Sequence, residues 1–262
     1  MDKPHVHYRT EGHLAVITLN RPEVKNAFSH EMITLWRQFL EQASTDSAVR
    51  VIIVTGNGDT FCSGGDIRDM AEGRLMSWEM KRFLWEGVHR IVLTMEDLDK
   101  PVIAAINGAA MGAGLDMALM CDFRICSDRA KLAESYILMG LVPGDGGAYF
   151  LPRLVGVSKA MELLLTGDVI TPDKALEIGL VNHVVRHERL MEETMILAEK
   201  IASKPPLAVR MMKRAIYQGL TSTLRSHLDY ISSQVALLSE TEDHREAARA
   251  FLEKRKPLFA GK

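Results

Sequence analysis

The stretch GLVPGDGGAYF, residues 140–150, places one carboxylate among several glycines. Glycine allows close approach of the backbone to a ligand, and aspartate can transfer protons or act as a nucleophile. Both residue types are also typical of a simple turn. A carboxylate that faces a substrate from a partly buried position has a raised pKa unless it is paired, which suits proton transfer near neutral pH. From this stretch alone, both a simple turn and a chemical role for Asp145 stay open.

Two other stretches combine small residues with predicted helix starts: TFCSGGDI (residues 60–67) and GAAMGAGLD (residues 108–116). Unpaired N–H groups and the helix dipole at such a point favour negative charge. Two loops of this kind on neighbouring strands could direct two amides at one oxygen and form an oxyanion hole. For either loop alone, a tight turn remains an alternative. A phosphate cradle is disfavoured because neither G-x-x-x-x-G-K-[ST] nor G-x-G-x-x-G occurs.

The elements that would position these loops alternate between strand and helix. Residues 13–20 and 49–56 are rich in Val, Ile and Thr and predict buried strands. Residues 29–44 predict an amphipathic helix that begins after a serine N-cap. Residues 100–114 predict a third strand, and residues 115–127 a helix followed by a fourth strand. This order implies a largely parallel sheet covered by helices.

Beyond about residue 157 the pattern becomes mainly helical, with Gly or Pro between segments. In TPDKALEIG, Thr171 is a predicted N-cap, Pro172 occupies the first helical position and Gly179 ends the helix. We expect an α/β body followed by a helical C-terminal part.

Composition narrows the class of protein. The 262 residues are 47% hydrophobic and 25% charged with a net charge of −2, so no nucleic-acid partner is indicated. Three cysteines do not form a disulfide framework and favour a reducing compartment. The polar N-terminus lacks a secretory pattern, and no apolar run is long enough to span a bilayer. The expectation is a cytoplasmic protein without a membrane partner.

Five motifs in order along the chain resemble those of the crotonase superfamily, the enoyl-CoA hydratase/isomerase family, over essentially the whole length. They are ITLNRPEVKNAF (17–28), FCSGGDI (61–67), KPVIAAINGAAMGAGLDMALMCDFRI (100–125), GLVPGDGGAYFLPRLVG (140–156) and AFLEKRKPLF (250–259). The resemblance implies an α/β crotonase (ClpP-like) fold. This fold has a twisted ββα-repeat core, here residues 1–200, and a helical C-terminal trimerisation region, residues 201–262. It also implies a lyase acting on an acyl-CoA thioester, without a metal or separate cofactor, and a homo-oligomer that is a trimer or a dimer of trimers.

Residue by residue, the resemblance assigns the two oxyanion-hole amides to Ser63 and Ala113. They would stabilise the thioester oxygen as it becomes enolate-like, and one such donor is commonly worth about 3 kcal/mol. The family usually has glycine at the position of Ala113, but alanine keeps the N–H. The residues expected to contact coenzyme A are Val24, Lys25, Gly64, Gly65, Asp66, Ile67, Phe251 and Lys254, the last two from the same or a neighbouring subunit.

The chain departs from the family where a typical hydratase carries two acid/base glutamates. The first position is Asp116, one methylene shorter, and the second is Tyr136, which has no carboxylate. Glu134 lies two residues earlier and would share the same face of a strand, but it is displaced along the strand. Asp145 occupies a position where ordinary hydratases have a small residue and where chlorobenzoyl-CoA dehalogenase, another family member, has its nucleophilic aspartate. Asp145, Asp116 and Tyr136 are therefore the predicted catalytic residues.

Three activities remain open on these residues. The first is hydration, dehydration or double-bond isomerisation of an enoyl-CoA, including branched, cyclic or aromatic acyl groups. The second is hydrolysis or substitution with Asp145 as nucleophile. The third is a non-catalytic family member that binds coenzyme A or a partner.

Overall fold

The main sheet has six strands and is parallel except at one edge. In the computed structural model, which describes residues 3–66 and 77–262, the strand order is β1-β2-β3-β5-β7-β9. Only the β1–β2 pair is antiparallel within this sheet. The strands are β1 (Val6–Glu11), β2 (Leu14–Leu19), β3 (Val51–Gly56), β5 (Val102–Ile106), β7 (Phe123–Ser127) and β9 (His183–Val185). The predicted parallel sheet is confirmed.

A second sheet of three short parallel strands carries the loops of interest. Its strands are β4 (Thr60–Cys62), β6 (Ala109–Met111) and β8 (Leu132–Ala133), in the order β4-β6-β8. The prediction of one continuous strand over residues 100–114 is wrong. The chain leaves the main sheet at Asn107, whose side-chain amide donates to Gly58 O and Thr60 O, and it enters the second sheet two residues later.

Helices cover both sheets. The first, α1 (His30–Thr45), begins at Ser29, whose hydroxyl accepts from Met32 N at 3.1 Å, so the predicted cap is confirmed. Residues 77–97 are helical throughout, as α2 (Ser77–Phe83), a π-helical segment (Leu84–Val88) and α3 (His89–Asp97). Further α-helices in the described part of the chain before residue 180 are α4 (Ala113–Leu119), α5 (Gly147–Val155), α6 (Val157–Thr166) and α7 (Pro172–Glu177).

The C-terminal part is helical, as predicted. It contains α8 (Leu190–Ala202), α9 (Pro206–Gly219), α10 (Leu224–Ser239) and α11 (Glu242–Leu252). In α7 the Thr171 hydroxyl accepts from Lys174 N, and Gly179 beyond it has a φ of +75°, as the TPDKALEIG pattern requires. The division into residues 1–200 and 201–262 stays a prediction.

Apolar side chains bury both faces of the main sheet. On one face, residues of β2, β3 and β5 pack with α1 and α4 around Trp36, Phe61 and Met117. On the other face, α8 covers Val16, Ile53 and further side chains of the same strands. Within the described ranges, no helix is both long and apolar enough to cross a membrane. Among the predicted site residues, Ser63 follows β4, Ala113 and Asp116 lie in α4, and Asp145 lies in the loop before α5.

Candidate active site

The two small-residue loops lie against each other. Gly64 has a φ of +82°, and a Cβ built there would be 3.0 Å from Met111 O and 3.1 Å from Ala113 N. This spacing leaves little room for a side chain, and a positive φ disfavours one as well. The loop after β4 and the N-terminus of α4 are thus brought together, as the oxyanion-hole prediction requires.

The assignment of Ser63 as one of the two oxyanion donors does not fit this geometry. Its N–H donates to Lys25 O at 3.0 Å, so this amide already has an acceptor. In contrast, the amides of Gly65 and Ala113 have no acceptor among the described residues. For Ala113 this is expected, because it is the first residue of α4 and the first amides of a helix have no partner within it. Within the described residues, Gly65 and Ala113 therefore each offer a free amide at this junction.

The segment with Val24 and Lys25 is hydrogen-bonded to the same loop. Lys25 and Asn26 have φ values of +56° and +53°, and the Lys25 carbonyl receives the Ser63 amide. Asn26 is fully buried, and its side-chain amide lies within 3.2 Å of three carbonyl oxygens, those of Asn57, Thr60 and Phe61. Sequence reasoning missed Asn26, although asparagine tolerates positive φ unusually well.

The structure brings only some of the other residues predicted to contact coenzyme A close to this loop. Gly64, Gly65 and Asp66 lie in the loop just described, and Ile67 is outside the described residues. Phe251 is 84% exposed near the end of α11. The chain that follows reaches Arg50, which donates to Phe259 O beside the amino end of β3. Within the described residues, no hydrogen bond joins Phe251 or Lys254 to the two free amides.

Three predicted catalytic residues meet in one buried cluster. The Tyr136 hydroxyl oxygen lies 2.8 Å from Asp116 Oδ2 and 3.0 Å from Asp145 Oδ2. The Asp145 amide also donates to Asp116 Oδ2 at 3.2 Å. A tyrosine hydroxyl has one proton, so it donates to one carboxylate, and the second contact becomes a hydrogen bond only when that carboxyl is protonated. The geometry therefore suits one shared proton between Asp116 and Asp145.

Burial sets the protonation behaviour of this cluster. Asp116 is 0% exposed and Asp145 4% exposed. Burial raises the pKa of Asp116 to about 6, although the Tyr136 hydrogen bond acts in the opposite direction. Burial also raises the pKa of Asp145, opposed by the Tyr136 hydrogen bond and by His89. The pKa of Tyr136 is raised by burial and by both carboxylates, so it stays a neutral hydroxyl.

Two residues beside this cluster were not assigned by sequence. Glu134 does not lie on a strand, because β8 ends at Ala133 and a 3₁₀ helix covers Ser135–Met139. His89 on α3 lies with Nε2 2.7 Å from Gly144 O and 4.0 Å from Asp145 Oδ1. Because a carbonyl only accepts, this nitrogen carries the ring proton. No local motif connects His89 with Asp145, since 56 positions separate them in the chain.

A cavity of about 700 Å³ opens beside Asp145. This volume is within the range of small-molecule sites, roughly 300–1,000 Å³. Its wall near the cluster consists of Gly144, Asp145 and Gly146, and much of the remaining lining is apolar or aromatic. The lining includes Trp85, His89, Leu93, Tyr149, Phe150, Leu154 and Tyr217.

Free amides at a helix start, a buried acid cluster and a cavity beside Asp145 thus lie together on this α/β fold. The sequence profile of the enoyl-CoA hydratase/isomerase family matches residues 9–262, and the chain belongs to this family. It is 40% identical over 255 residues to a crotonyl-CoA hydratase of Syntrophomonas wolfei subsp. wolfei, covering 96% of each chain. A short-chain-enoyl-CoA hydratase of Clostridium acetobutylicum is 38% identical over 257 residues, covering 98% of this chain and 97% of the relative.

Solved structures agree with this assignment. The enoyl-CoA hydratase of Bacillus anthracis superposes with a TM-score of 0.94 at 35% identity, covering 98% of this chain and 100% of that one. The crotonase fold and the family predicted from the motifs are confirmed. The protein is an acyl-CoA-processing enzyme of the enoyl-CoA hydratase/isomerase type.

Proposed function

We propose that this enzyme adds water to, or removes it from, the double bond of an enoyl-CoA, with double-bond isomerisation as the related reaction. The observation that carries the proposal is the junction of two free amides, Gly65 N–H and Ala113 N–H. Ala113 precedes Asp116, whose carboxyl is buried, by three residues. Two amides around the thioester oxygen stabilise the negative charge that develops when the α-carbon gains or loses a proton.

The carboxyl cluster supplies the proton transfers. Hydration requires one group that takes a proton from water and one that gives a proton to the α-carbon. A protonated and an ionised carboxyl joined through Tyr136 provide both from Asp116 and Asp145. In this proposal the Asp145–Asp116 pair replaces the two glutamates of a typical hydratase, and Tyr136 connects the two carboxyls.

The cavity favours an acyl group larger than crotonyl. It begins at Asp145, the proposed proton-transfer residue, and continues along apolar and aromatic side chains of α3 and α5. A four-carbon chain would fill only a small part of it, and burial of further apolar area strengthens binding. We therefore propose a branched, cyclic or aromatic enoyl group as the preferred substrate.

Turnover is measured by loss of the enoyl-thioester absorbance, for crotonyl-CoA and for a bulkier analogue such as cinnamoyl-CoA. Leu93→Trp, which narrows the cavity, is expected to lower kcat/KM for the bulkier substrate by about 10-fold or more and to leave crotonyl-CoA nearly unchanged, because pocket contacts of this size discriminate by about 10–200-fold. Leu165→Trp is the control, since Leu165 is 60% exposed on α6.

The outcomes of this experiment separate the alternatives. Turnover of no enoyl-CoA despite tight binding would favour the non-catalytic interpretation. Equal losses for both substrates in Leu93→Trp would reject the cavity as the acyl site. Release of free coenzyme A, or an adduct on Asp145 in mass spectrometry, would favour hydrolysis or substitution. That second activity is favoured by Asp145 Oδ1, which accepts no hydrogen bond from the described residues and faces His89.

We further propose that the chain assembles as a trimer or a dimer of trimers in a reducing, cytoplasmic compartment. The C-terminal helices expose large apolar side chains, namely Met212, Ile216, Leu220, Leu224, Leu228, Phe251 and Leu252. A second copy would bury them and could bring Phe251 and Lys254 to the coenzyme A of its neighbour. Light scattering is expected to give three or six times the chain mass, and a monomer at micromolar concentration would contradict this proposal.

The three cysteines are buried and free, which agrees with the proposed reducing, cytoplasmic compartment. The absence of a metal or separate cofactor stays a prediction.

A further inference from the structure

Glu134 is a buried carboxyl that the proposed chemistry does not use. It is 1% exposed, and neither of its carboxyl oxygens has a hydrogen-bond donor among the described residues. An ionised carboxylate without donors or a cation is strongly unfavourable in a protein interior. This side chain therefore needs either a partner or a proton.

The partner available to Glu134 is Asp116. A Cβ built on Gly147 would lie 2.2 Å from Asp116 Oδ1 and 3.1 Å from Glu134 Oε2, so the two oxygens converge on the same side of this glycine. Asp116 Oδ1 has no partner in hydrogen-bond geometry among the described residues, and the nearby Gly147 amide lowers the pKa of Asp116. Two ionised carboxylates offer only acceptors to each other, and a proton on one of them supplies the missing donor.

The surroundings decide which of the two carries the proton. Asp116 Oδ2 receives hydrogen bonds from the Asp145 amide and the Tyr136 hydroxyl, and donors of this kind favour the ionised form. Glu134 has no such donors. Burial, followed by the charge of Asp116, raises the pKa of Glu134 to about 10, whereas the pKa of Asp116 is about 6.

Among the described residues, the other titratable groups near Glu134 and Asp116 leave this order of pKa values unchanged. Asp145 also acts on Glu134 and raises its pKa, while His89 contacts Asp145, at 4.0 Å. Cys62 is a buried thiol whose pKa is raised by burial to about 12, so it is neutral. Tyr136 is a neutral hydroxyl in the same cluster.

We infer that Glu134 is a neutral carboxylic acid at physiological pH whose O–H donates to Asp116 Oδ1, so that Glu134 is a positioning residue that holds Asp116 ionised and oriented toward Tyr136. The location of the proton follows from the buried cluster alone. The catalytic consequence rests on the proposed function, because it requires Asp116 to transfer protons.

The test compares Glu134→Gln with Glu134→Leu. The amide of glutamine keeps an N–H donor toward Asp116 and leucine does not. We expect kcat to stay within about 3-fold of the parent in Glu134→Gln and to fall about 10–100-fold in Glu134→Leu, as for other supporting partners of a reactive group. KM is expected to change little, since neither substitution touches the amides or the coenzyme A path.

The direction of the pH shift separates this inference from a merely structural role. Losing a donor to ionised Asp116 raises its pKa, so the acidic limb of kcat in Glu134→Leu moves to higher pH, and in Glu134→Gln it stays in place. If Glu134 were ionised, both variants would remove a negative charge, and the limb would move to lower pH. A shift to lower pH, or unchanged kcat in Glu134→Leu, would overturn the inference.

Infrared difference spectroscopy provides a readout without turnover. The C=O stretch of a protonated carboxylic acid is expected at neutral pH in the parent and in the surface control Asp168→Asn, and it is expected to weaken in Glu134→Gln. No loss of this band in Glu134→Gln would reject the neutral Glu134. If the band behaves as expected and no variant converts any enoyl-CoA, the proposed function fails while the location of the proton stands.

Discussion

Asp145→Asn is expected to lower kcat for enoyl-CoA hydration by about 100-fold or more, the usual contribution of a general acid or base. The substitution keeps the shape of the side chain but removes its ability to exchange a proton. Tyr136 could still bond to the asparagine oxygen, so the cluster should keep its geometry. Steady-state kinetics with the preferred enoyl-CoA gives kcat and KM, and calorimetry with a non-reactive acyl-CoA checks that binding is retained.

Asp168→Asn is the matched control for this variant. Asp168 is an exposed carboxylate after α6, and its replacement is expected to leave kcat unchanged. An Asp145→Asn enzyme with parental kcat would remove Asp145 from the mechanism. Loss of acyl-CoA binding together with kcat would instead assign Asp145 a structural role in the loop before α5.

Replacing the Gly65 peptide N–H by an ester oxygen is expected to lower kcat about 100–1,000-fold, since one oxyanion donor contributes on this scale. The amide-to-ester change removes a single donor and leaves the side chains untouched. A protein with glycolic acid at position 65, made by semisynthesis, provides the variant. Single-turnover kinetics with a saturating enoyl-CoA then reports the chemical step.

The same ester change at Ser63 is the informative control. Its N–H donates to Lys25 O, so this variant is expected to lose unfolding free energy, about 1 kcal/mol for one backbone hydrogen bond, and to keep most of its kcat. The reverse result, with the large kinetic loss at Ser63, would restore the donor that the motif comparison indicates. Equal small losses at both positions would reject the two-amide site.

Local sequence signals predicted the elements of this protein well. The N-cap at Ser29, the cap of α7 at Thr171 and the parallel strands all follow from short-range patterns. The strand prediction for residues 100–114 was wrong because its hydrophobic pattern continues through Asn107. Only the contacts of Asn107 with Gly58 O and Thr60 O, far away in the chain, show where the sheet ends.

The sequence predicted which loops form the candidate site, but not which backbone amide in them is free. The motif FCSGGDI located the correct turn, but only the hydrogen bond from Ser63 to Lys25 shows which amide is occupied. Asp116, Tyr136 and Asp145 were named because they match positions in the motifs of the family, and they do meet. His89 and the pairing of Glu134 with Asp116 depend on how α3 and α5 pack, which no pattern within one segment encodes.

The single hydroxyl of Tyr136, in contact with both Asp116 and Asp145, has a consequence for successive catalytic cycles. In the proposed mechanism, each hydration leaves the carboxyl that activates water protonated and the other carboxyl ionised, the opposite of the starting arrangement. A concerted shift, in which the phenol accepts from one side and donates to the other, resets the enzyme internally. In the dehydration direction, an α-hydrogen taken from one substrate molecule would in this way leave in the water released from a later one, without first exchanging with the solvent.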